Sequence, residues 1–367
     1  MSSIDNIFVN DNDWSAEFHS SPSGTMDFRI GDEDILSLKG VSFGECQESL
    51  GISKYVRKHE YETLKGGKID TSTILPFGSE PSIVRNFDYF HSRFKVVTEI
   101  SLNGSIDMDS LAIDSIEIPG DYAKIEILDY DSSGKINIQS LPSDLPDFMM
   151  KWDRIPLAIL LSKADGFTLE IGAGDDLWRW NQKYMGEMSP EFLLFRSEGK
   201  LHFRRKILNF PEKTEIKARN FKFTWFFAWS EKTVANGKKA RMRKTIPVET
   251  AALASDMPES CFRSLNGDPE KDLCFRSDAV WARLKKIIRQ SASENSLFLI
   301  SGFSPGLCDN ASHLDRHKKI SVLHWDSSAL YDFHLWSSKF LSGYNSRIKI
   351  VSGNPLFDSL PSIKSLY

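Results

Sequence analysis

The residues best suited to chemistry in this 367-residue chain lie in and just before one loop, Gly172–Trp180. Large aromatic rings are unusual on a turn, because they normally seek the protein core. Here they stand beside carboxylates and a guanidinium, the groups that hydrogen-bond hydroxyls and acidic ligands. The residues concerned are Glu170, Asp175, Asp176, Trp178, Arg179 and Trp180.

The carboxylates Glu170, Asp175 and Asp176 are the candidate catalytic residues, since a positioned carboxyl group can serve as general acid or base. If the protein hydrolyses a glycosidic bond, a second carboxylate must lie roughly 5–10 Å from the first. Glu170 and Glu187 are the nearest candidates to the loop in sequence. The alternative is that Asp175 or Asp176 caps a short helix and has no catalytic role.

The side chains of Trp178, Arg179 and Trp180 are the candidate substrate-binding residues. In an extended stretch, residues two apart face the same side, so the two indoles form a stacking platform for a sugar ring. Arg179 then points the other way, toward a carboxylate. The alternative is that both tryptophans belong to the hydrophobic core.

A second constellation follows the loop 302–309 and contains His313, Asp315 and His317. The two histidines have i, i+4 spacing and His324 is close in sequence, so a zinc site is one hypothesis. The alternative is a set of solvated or singly hydrogen-bonded side chains. The leading prediction therefore includes no metal and no other cofactor.

Three further polar residues, His91, Arg93 and Glu99, fall on or beside a predicted strand. Arg93 and Glu99 share the parity of the strand, so both face one side of it. The expectation is a salt bridge on the surface of the sheet.

Period-2 alternation of apolar and polar residues dominates the chain between 87 and 130. Three such segments, joined at Asn103–Gly104 and Pro119–Gly120, predict an antiparallel meander. A hairpin is predicted around Glu198–Gly199. Further predicted strands are Pro156–Ser162, Phe167–Ile171, Phe192–Arg196, Lys200–Leu208 and Phe221–Trp229.

The pattern changes after about residue 235. Asp278 is a candidate N-cap for a helix to about Arg289, and a second helix is predicted over Ser327–Leu341. Strands are predicted at Leu297–Ile300, Ile320–His324 and Arg347–Val351. The chain is therefore predicted to be mainly β, with a large antiparallel β-sandwich over 1–235 and an α/β extension or small domain over 236–367.

Composition narrows the class of protein. The formal net charge of −4 disfavours a general nucleic-acid binder. No apolar run is long enough to span a bilayer and the N-terminus lacks the pattern of a secretory signal, so the cytoplasm is predicted, although a secreted chain after processing would look the same. The four cysteines form no C-x-x-C motif. Cys261 and Cys274 could be bridged in an oxidising compartment, and four free thiols are the alternative.

Three segments resemble the large β-sandwich of galactose-mutarotase-like proteins: Arg93–Glu99, Asp114–Gly120 and Phe223–Trp229. The resemblance covers about the first 235 residues and implies a sugar-related groove on a curved sheet. Mutarotases use a histidine acid and a glutamate base on the concave face, and neither has a matching position in this sequence. The same fold supplies accessory domains in glycoside hydrolases and polysaccharide lyases.

The leading hypothesis is a protein that binds or processes a sugar or polysaccharide in a groove on the β-sandwich. If it is an enzyme, a glycoside hydrolase, a lyase or an epimerase-like activity is expected. One alternative is a non-catalytic binding or assembly protein that uses exposed aromatics at an interface. The other is a metal-dependent enzyme built on the 313–317 loop. The oligomeric state is not predicted.

Overall fold

The protein is described from a computed structural model. It describes residues 6–230 apart from the gaps 12–13, 21–22, 44–45, 48–50, 61–65, 77–79, 91, 109–111, 120–121, 131–135, 143–148, 153–155, 157, 174–190, 209–213 and 217–218. Beyond Ser230 it describes 244–249, 256, 262–265, 268–273, 278–291, 296–301 and 347–351.

The part up to Ser230 is built from strands. In chain order they are β1 (Ile7–Asn10), β2 (Trp14–Ser20), β3 (Ser23–Ile30), β4 (Glu33–Leu38), β5 (Ser42–Phe43), β6 (Cys46–Gln47), β7 (Ile52–Glu60), β8 (Gly66–Ile74), β9 (Ser82–Phe90), β10 (Arg93–Leu102), β11 (Ile106–Met108), β12 (Ala112–Pro119), β13 (Lys124–Tyr130), β14 (Ile136–Pro142), β15 (Met149–Trp152), β16 (Ala158–Ser162), β17 (Thr168–Ala173), β18 (Glu191–Ser197), β19 (Lys200–Leu208), β20 (Thr214–Ile216) and β21 (Arg219–Trp229).

Two large antiparallel sheets form a sandwich, which confirms the predicted fold class. The nine-stranded sheet has the order β14-β13-β16-β17-β21-β10-β9-β8-β7. The ten-stranded sheet runs β1-β2-β3-β4-β12-β19-β18-β15, with β5 on β12 and β6 on β5. The short strands β11 and β20 pair separately.

Aromatic rings from both sheets meet in the core between them. The rings of Trp14 and Phe94 lie 5.2 Å apart edge to face, and those of Phe28 and Trp229 lie 4.6 Å apart. Trp14 and Phe28 belong to the ten-stranded sheet, whereas Phe94 and Trp229 belong to the nine-stranded sheet. The strands alternate because each sheet buries one face against the other.

The predicted meander between residues 87 and 130 is wrong. Strands β10 and β13 lie in the nine-stranded sheet, but β12 between them lies in the ten-stranded sheet and pairs with β19 and β4. Alternation requires a buried face on each strand, and two facing sheets meet that requirement as well as one sheet does. The hairpin is confirmed, since Glu198 and Gly199 join β18 to β19 with φ of 52° and 75°, the positive values of a type I′ turn.

A buried ionic cluster connects the two sheets. Asp114 on β12 is fully buried and accepts hydrogen bonds from Arg85, 3.0 Å away, and from Arg205. The indole Nε1 of Trp225 donates to the same carboxylate. Arg85 also donates to the carbonyl oxygen of Lys39 at 2.9 Å. The carboxylate of Asp114 is therefore a shared hydrogen-bond acceptor and negative charge for two guanidiniums that are also buried.

After the sandwich the described elements are β22 (Lys244–Glu249), β23 (Phe262–Leu265), β24 (Asp268–Leu273), α1 (Asp278–Ser291), β25 (Ser296–Ser301) and β26 (Arg347–Val351). β22, β25 and β26 form a parallel sheet in that order, and β23 pairs with β24. The first predicted helix and the strands at 297–300 and 347–351 are confirmed as elements. The predicted helix Ser327–Leu341, strand Ile320–His324 and pair Cys261 and Cys274 lie outside the described residues. The division at 235 remains a prediction.

Replacing Asp114 with asparagine tests the ionic cluster. The change removes the negative charge to which two buried guanidiniums donate, so we expect the free energy of unfolding to fall by about 3–5 kcal/mol in urea titrations. The control is Asp34→Asn, which removes an exposed pair with Arg29 and should cost about 0–1 kcal/mol. Equal losses in the two variants would contradict the role given to Asp114.

The pH dependence of stability tests a second carboxylate, Asp27 on β3. Burial acts to raise the pKa of Asp27, but hydrogen bonds from Ser37 and His19 outweigh it and lower the pKa below its usual value of 3.8. The stability that comes with a lowered folded-state pKa is fully present above the unfolded-state pKa. It is lost as the pH falls through the folded-state pKa. We expect Asp27→Asn to destabilise the protein at pH 7 and the difference from wild type to shrink toward pH 3. Urea midpoints across this range measure it, and a pH-independent difference would contradict it.

Candidate functional site

The predicted catalytic and binding loop begins where β17 ends. Gly172 and Ala173 are its first two residues and pair with Phe226 and Trp225 of β21, in the middle of the nine-stranded sheet. The remaining predicted residues, Asp175, Asp176, Trp178, Arg179 and Trp180, lie outside the described residues together with Glu187. Their roles stay predictions.

Glu170 is the one predicted catalytic residue that the structure describes. It stands on β17 opposite Leu160 of β16 and Ala228 of β21. Its neighbours Leu169 and Ile171 point into the sandwich core, so Glu170 faces the other way. We call this side of the nine-stranded sheet, turned away from the ten-stranded sheet, the outward face. Glu170 is nevertheless fully buried there.

Arg93 stands on the same face, one strand beyond Ala228. Arg93 pairs with Ala228 in the register of β10 and β21, and it is also fully buried. Leu160, Glu170, Ala228 and Arg93 thus form one cross-strand line, which we call the outward row. Strands lie about 4.8 Å apart, so the Cα atoms of Glu170 and Arg93 are roughly 10 Å apart, with Ala228 between them in the register.

The expected surface salt bridge between Arg93 and Glu99 is wrong. Both residues point to the outward side of β10, as their parity requires, but six residues of strand separate them by about 20 Å. Arg93 is also fully buried and is no part of the protein surface. His91 lies outside the described residues.

Apolar side chains surround the outward row. Phe226 and Leu160 are buried, yet neither belongs to the cluster of core residues between the sheets. Thr224 on β21 is buried on the same face. Burial on both faces of β16 and β21 makes this part of the outward face a second buried layer, distinct from the sandwich core.

Charged side chains continue the outward face toward β7. Lys95, Asp88, Lys68 and His59 stand opposite one another on four adjacent strands. Asp70, which is also on this face, lies 3.1 Å from Lys68 and 3.6 Å from His59. The outward face therefore changes from a buried centre with one carboxylate and one guanidinium to a half-exposed, charged flank that can hydrogen-bond polar ligands.

Sequence reasoning found Glu170 but missed its position relative to Arg93. Residues 93, 170 and 228 are far apart in sequence, and only the pairing of β17 and β10 with β21 brings them into one row. One signal was available: the strand Phe221–Trp229 is aromatic almost throughout, as expected for a strand buried on both faces.

The described residues contain neither a cluster of metal ligands nor a membrane-spanning helix. Within them, no three His, Cys, Asp or Glu side chains come together as a metal site, and the 313–317 loop is outside them. Among the same residues, no helix has the length and apolar character needed to cross a bilayer.

No family model matches the sequence, and no curated protein matches it. Solved structures do resemble it. A galactose mutarotase-like protein from Lactobacillus casei is 7% identical, with a TM-score of 0.40 over 62% of this chain and 100% of its own. The family 36 α-galactosidase AgaA from Geobacillus stearothermophilus is 9% identical, with a TM-score of 0.39 over 97% of this chain and 58% of its own. A glycoside hydrolase family 97 enzyme from Pseudoalteromonas sp. strain K8, in complex with acarbose, is 10% identical, with a TM-score of 0.40 over 94% of this chain and 53% of its own.

The resemblance to galactose-mutarotase-like proteins that the sequence predicts is thereby confirmed as a resemblance. Identities of 10% or less and scores near 0.4 give it no weight for function.

Substitution of Ala228 tests how closely the outward row is packed. A leucine at this position adds three carbon atoms between two buried side chains, so we expect Ala228→Leu to lower the free energy of unfolding by about 1–3 kcal/mol. The control is Val97→Leu, which enlarges a half-buried side chain on the same face of β10. Urea unfolding measures both. A neutral Ala228→Leu would mean that Glu170 and Arg93 are separated by open space.

Proposed function

We propose that the protein binds a carbohydrate on the outward face of the nine-stranded sheet, around Glu170 and Arg93. The observation that carries the proposal is the burial of these two ionisable side chains in one row outside the sandwich core. Removing a carboxylate or a guanidinium from water costs free energy, so sites of this kind are candidates for a functional role.

The charged groups of the outward row can form the hydrogen bonds that a sugar requires. A carboxylate accepts hydrogen bonds from hydroxyl groups, and a guanidinium donates several in a fixed plane. Neighbouring hydroxyls on a sugar ring offer both donors and acceptors. Apolar surface from Phe226 and Leu160 flanks these groups and matches the apolar faces of a sugar ring.

The Gly172–Trp180 loop begins two residues after Glu170. Its predicted tryptophan platform and the carboxylates Asp175 and Asp176 would therefore extend the same site, with Arg179 available for an acidic substituent. In this proposal Glu170 binds the sugar from the sheet, and the loop adds further contacts beside it.

Processing of the bound sugar would need a second carboxylate. Glu126 on β13 stands on the outward face opposite Leu160, so its Cα atom is roughly 10 Å from that of Glu170. Its carboxylate lies 2.7 Å from Lys124 and is partly exposed. Side chains on Cα atoms at this distance can hold their carboxyl groups roughly 5–10 Å apart, the range that glycoside hydrolases use, so hydrolysis is the first activity to assay.

The assembly alternative has less support. The large apolar side chains that are exposed among the described residues are Phe8, Ile52 and Met149. They lie on three different edge strands, β1, β7 and β15, whereas an interface needs a contiguous apolar patch.

The test is a screen of mono- and oligosaccharides by thermal shift and glycan array, followed by titration calorimetry of any ligand found. Glu170→Gln keeps the shape of the side chain but removes its charge. We expect it to weaken binding about 10- to 100-fold, the value of hydrogen bonds to a charged group. Glu215→Gln, at an exposed position on β20, is the matched control and should bind as the wild type does.

A double Trp178→Ala/Trp180→Ala variant tests the contribution of the loop separately from that of Glu170. Loss of affinity in this variant assigns the loop to the site. A saccharide that binds equally well to Glu170→Gln and to the wild type would contradict the proposal, as would a complete screen without a ligand.

A further inference from the structure

The opposite side of the sandwich carries an unusual strand. From Lys200 to Lys206, every outward position of β19 holds a basic residue, namely Lys200, His202, Arg204 and Lys206. The alternate residues Leu201, Phe203 and Arg205 are fully buried against the nine-stranded sheet. We call the four outward residues the cationic row. Lys200 is exposed and the other three are half-buried.

The spacing of the cationic row is regular. Alternate residues of an antiparallel strand lie about 6.8 Å apart, so the row extends over roughly 20 Å from Lys200 to Lys206. The row is uninterrupted, because β19 pairs with β18 without a register shift from Lys200 to Lys206. The positive charge is therefore distributed along a line of roughly 20 Å.

The surroundings of the row add two cations and two carboxylates, so the excess of positive charge on this face comes from the row itself. Lys151 is exposed on β15, and Lys39 lies 3.1 Å from Glu117. Glu117 stands opposite His202 and is shared between Lys39 and Lys200, at 3.1 and 3.6 Å. Glu191 stands opposite Lys206 in the register. On the outward positions of β12, β15, β18 and β19, lysine and arginine therefore exceed aspartate and glutamate.

One aromatic ring orders the centre of the row. Phe195 on β18 stacks on His202 with centroids 4.7 Å apart and planes 9° from parallel. The guanidinium of Arg204 lies 5.1 Å from the centre of the same ring. Packing on an aromatic ring holds a guanidinium in place while leaving its N–H groups able to donate, so less entropy is lost when it binds an anion.

We propose that the cationic row binds an extended anionic polysaccharide lying along β19. The regular basic positions provide charge complementarity to an extended chain that carries acidic groups at intervals along its length. Double-stranded DNA has one charge per roughly 1.7 Å, a much denser array that suits a strongly basic protein, whereas this chain carries −4. The choice of a polysaccharide among polyanions rests on the proposed function.

The probe is a polygalacturonate oligosaccharide, and its fully methyl-esterified form is the neutral ligand control. We expect the acidic form to bind the full chain, the ester to bind at least tenfold more weakly through the row, and added salt to weaken binding of the acidic form, because exposed charges are screened. The triple variant Lys200→Gln/Arg204→Gln/Lys206→Gln should lose about tenfold or more in affinity.

A variant with the same change of charge elsewhere is the protein control. Arg29→Gln/Lys54→Gln/Lys124→Gln removes three exposed cations outside the row and should bind polygalacturonate as the wild type does. Circular dichroism and thermal midpoints check that both triple variants are folded. Equal losses in the two variants, or equal binding of the acid and the ester, would overturn the proposal.

Two further binding measurements distinguish this inference from the proposed function and from binding of another polyanion. The first is the screen of neutral saccharides: polygalacturonate binding that the triple variant of the row weakens, in a protein that binds no neutral saccharide, supports this inference and refutes the other. A DNA duplex is the competing polyanion. If it binds the row as tightly as polygalacturonate at the same salt concentration, the assignment to a polysaccharide is refuted.

Discussion

The arrangement of the two sheets depends on the buried carboxylate of Asp114. It lies on β12 of the ten-stranded sheet and accepts from Arg85 and Trp225 of the nine-stranded sheet, as well as from Arg205 of its neighbour β19. Apolar packing favours contact between the sheets but tolerates many offsets. A charged group with directional partners is satisfied at one offset, so this cluster can select the register in which the sandwich closes.

The same strands carry the residues of both proposed binding surfaces on their opposite faces. Trp225 points inward to Asp114, while its neighbour Phe226 belongs to the outward face. Arg205 points inward, whereas Arg204 and Lys206 belong to the cationic row. Because side chains alternate along a strand, a slip of one residue would exchange the two faces. The ionic cluster and both proposed binding surfaces are therefore linked through strand register.

The two outward faces of the sandwich differ in character. The face of the nine-stranded sheet has a buried centre, where Glu170 and Arg93 are withdrawn from solvent among apolar side chains. The face of the ten-stranded sheet is open, and its charges remain in contact with water along β19. A withdrawn site favours a small ligand held by a few strong hydrogen bonds, whereas an open row favours a long ligand held by many weak contacts. The two proposed sites lie on opposite faces, so a sugar ring and a charged polymer bound there would not compete with each other.

The sequence alone determined several strands between Phe94 and Trp229, where the β18–β19 hairpin turns, and that Glu170 precedes a loop rich in aromatic and acidic residues. These features are local, because alternation, turn residues and neighbours in sequence are set by the chain itself. It could not determine which strands pair, and so it predicted a meander where β10, β12 and β13 alternate between sheets. Tertiary structure alone decided that Glu170 and Arg93 share a row across Ala228, that Arg93 is too far from Glu99 to form a salt bridge, and that Asp114 holds two arginines. Each of these depends on contacts between segments distant in the chain, and such contacts are selected by the combined burial and hydrogen bonding of both sheets, which no single segment encodes.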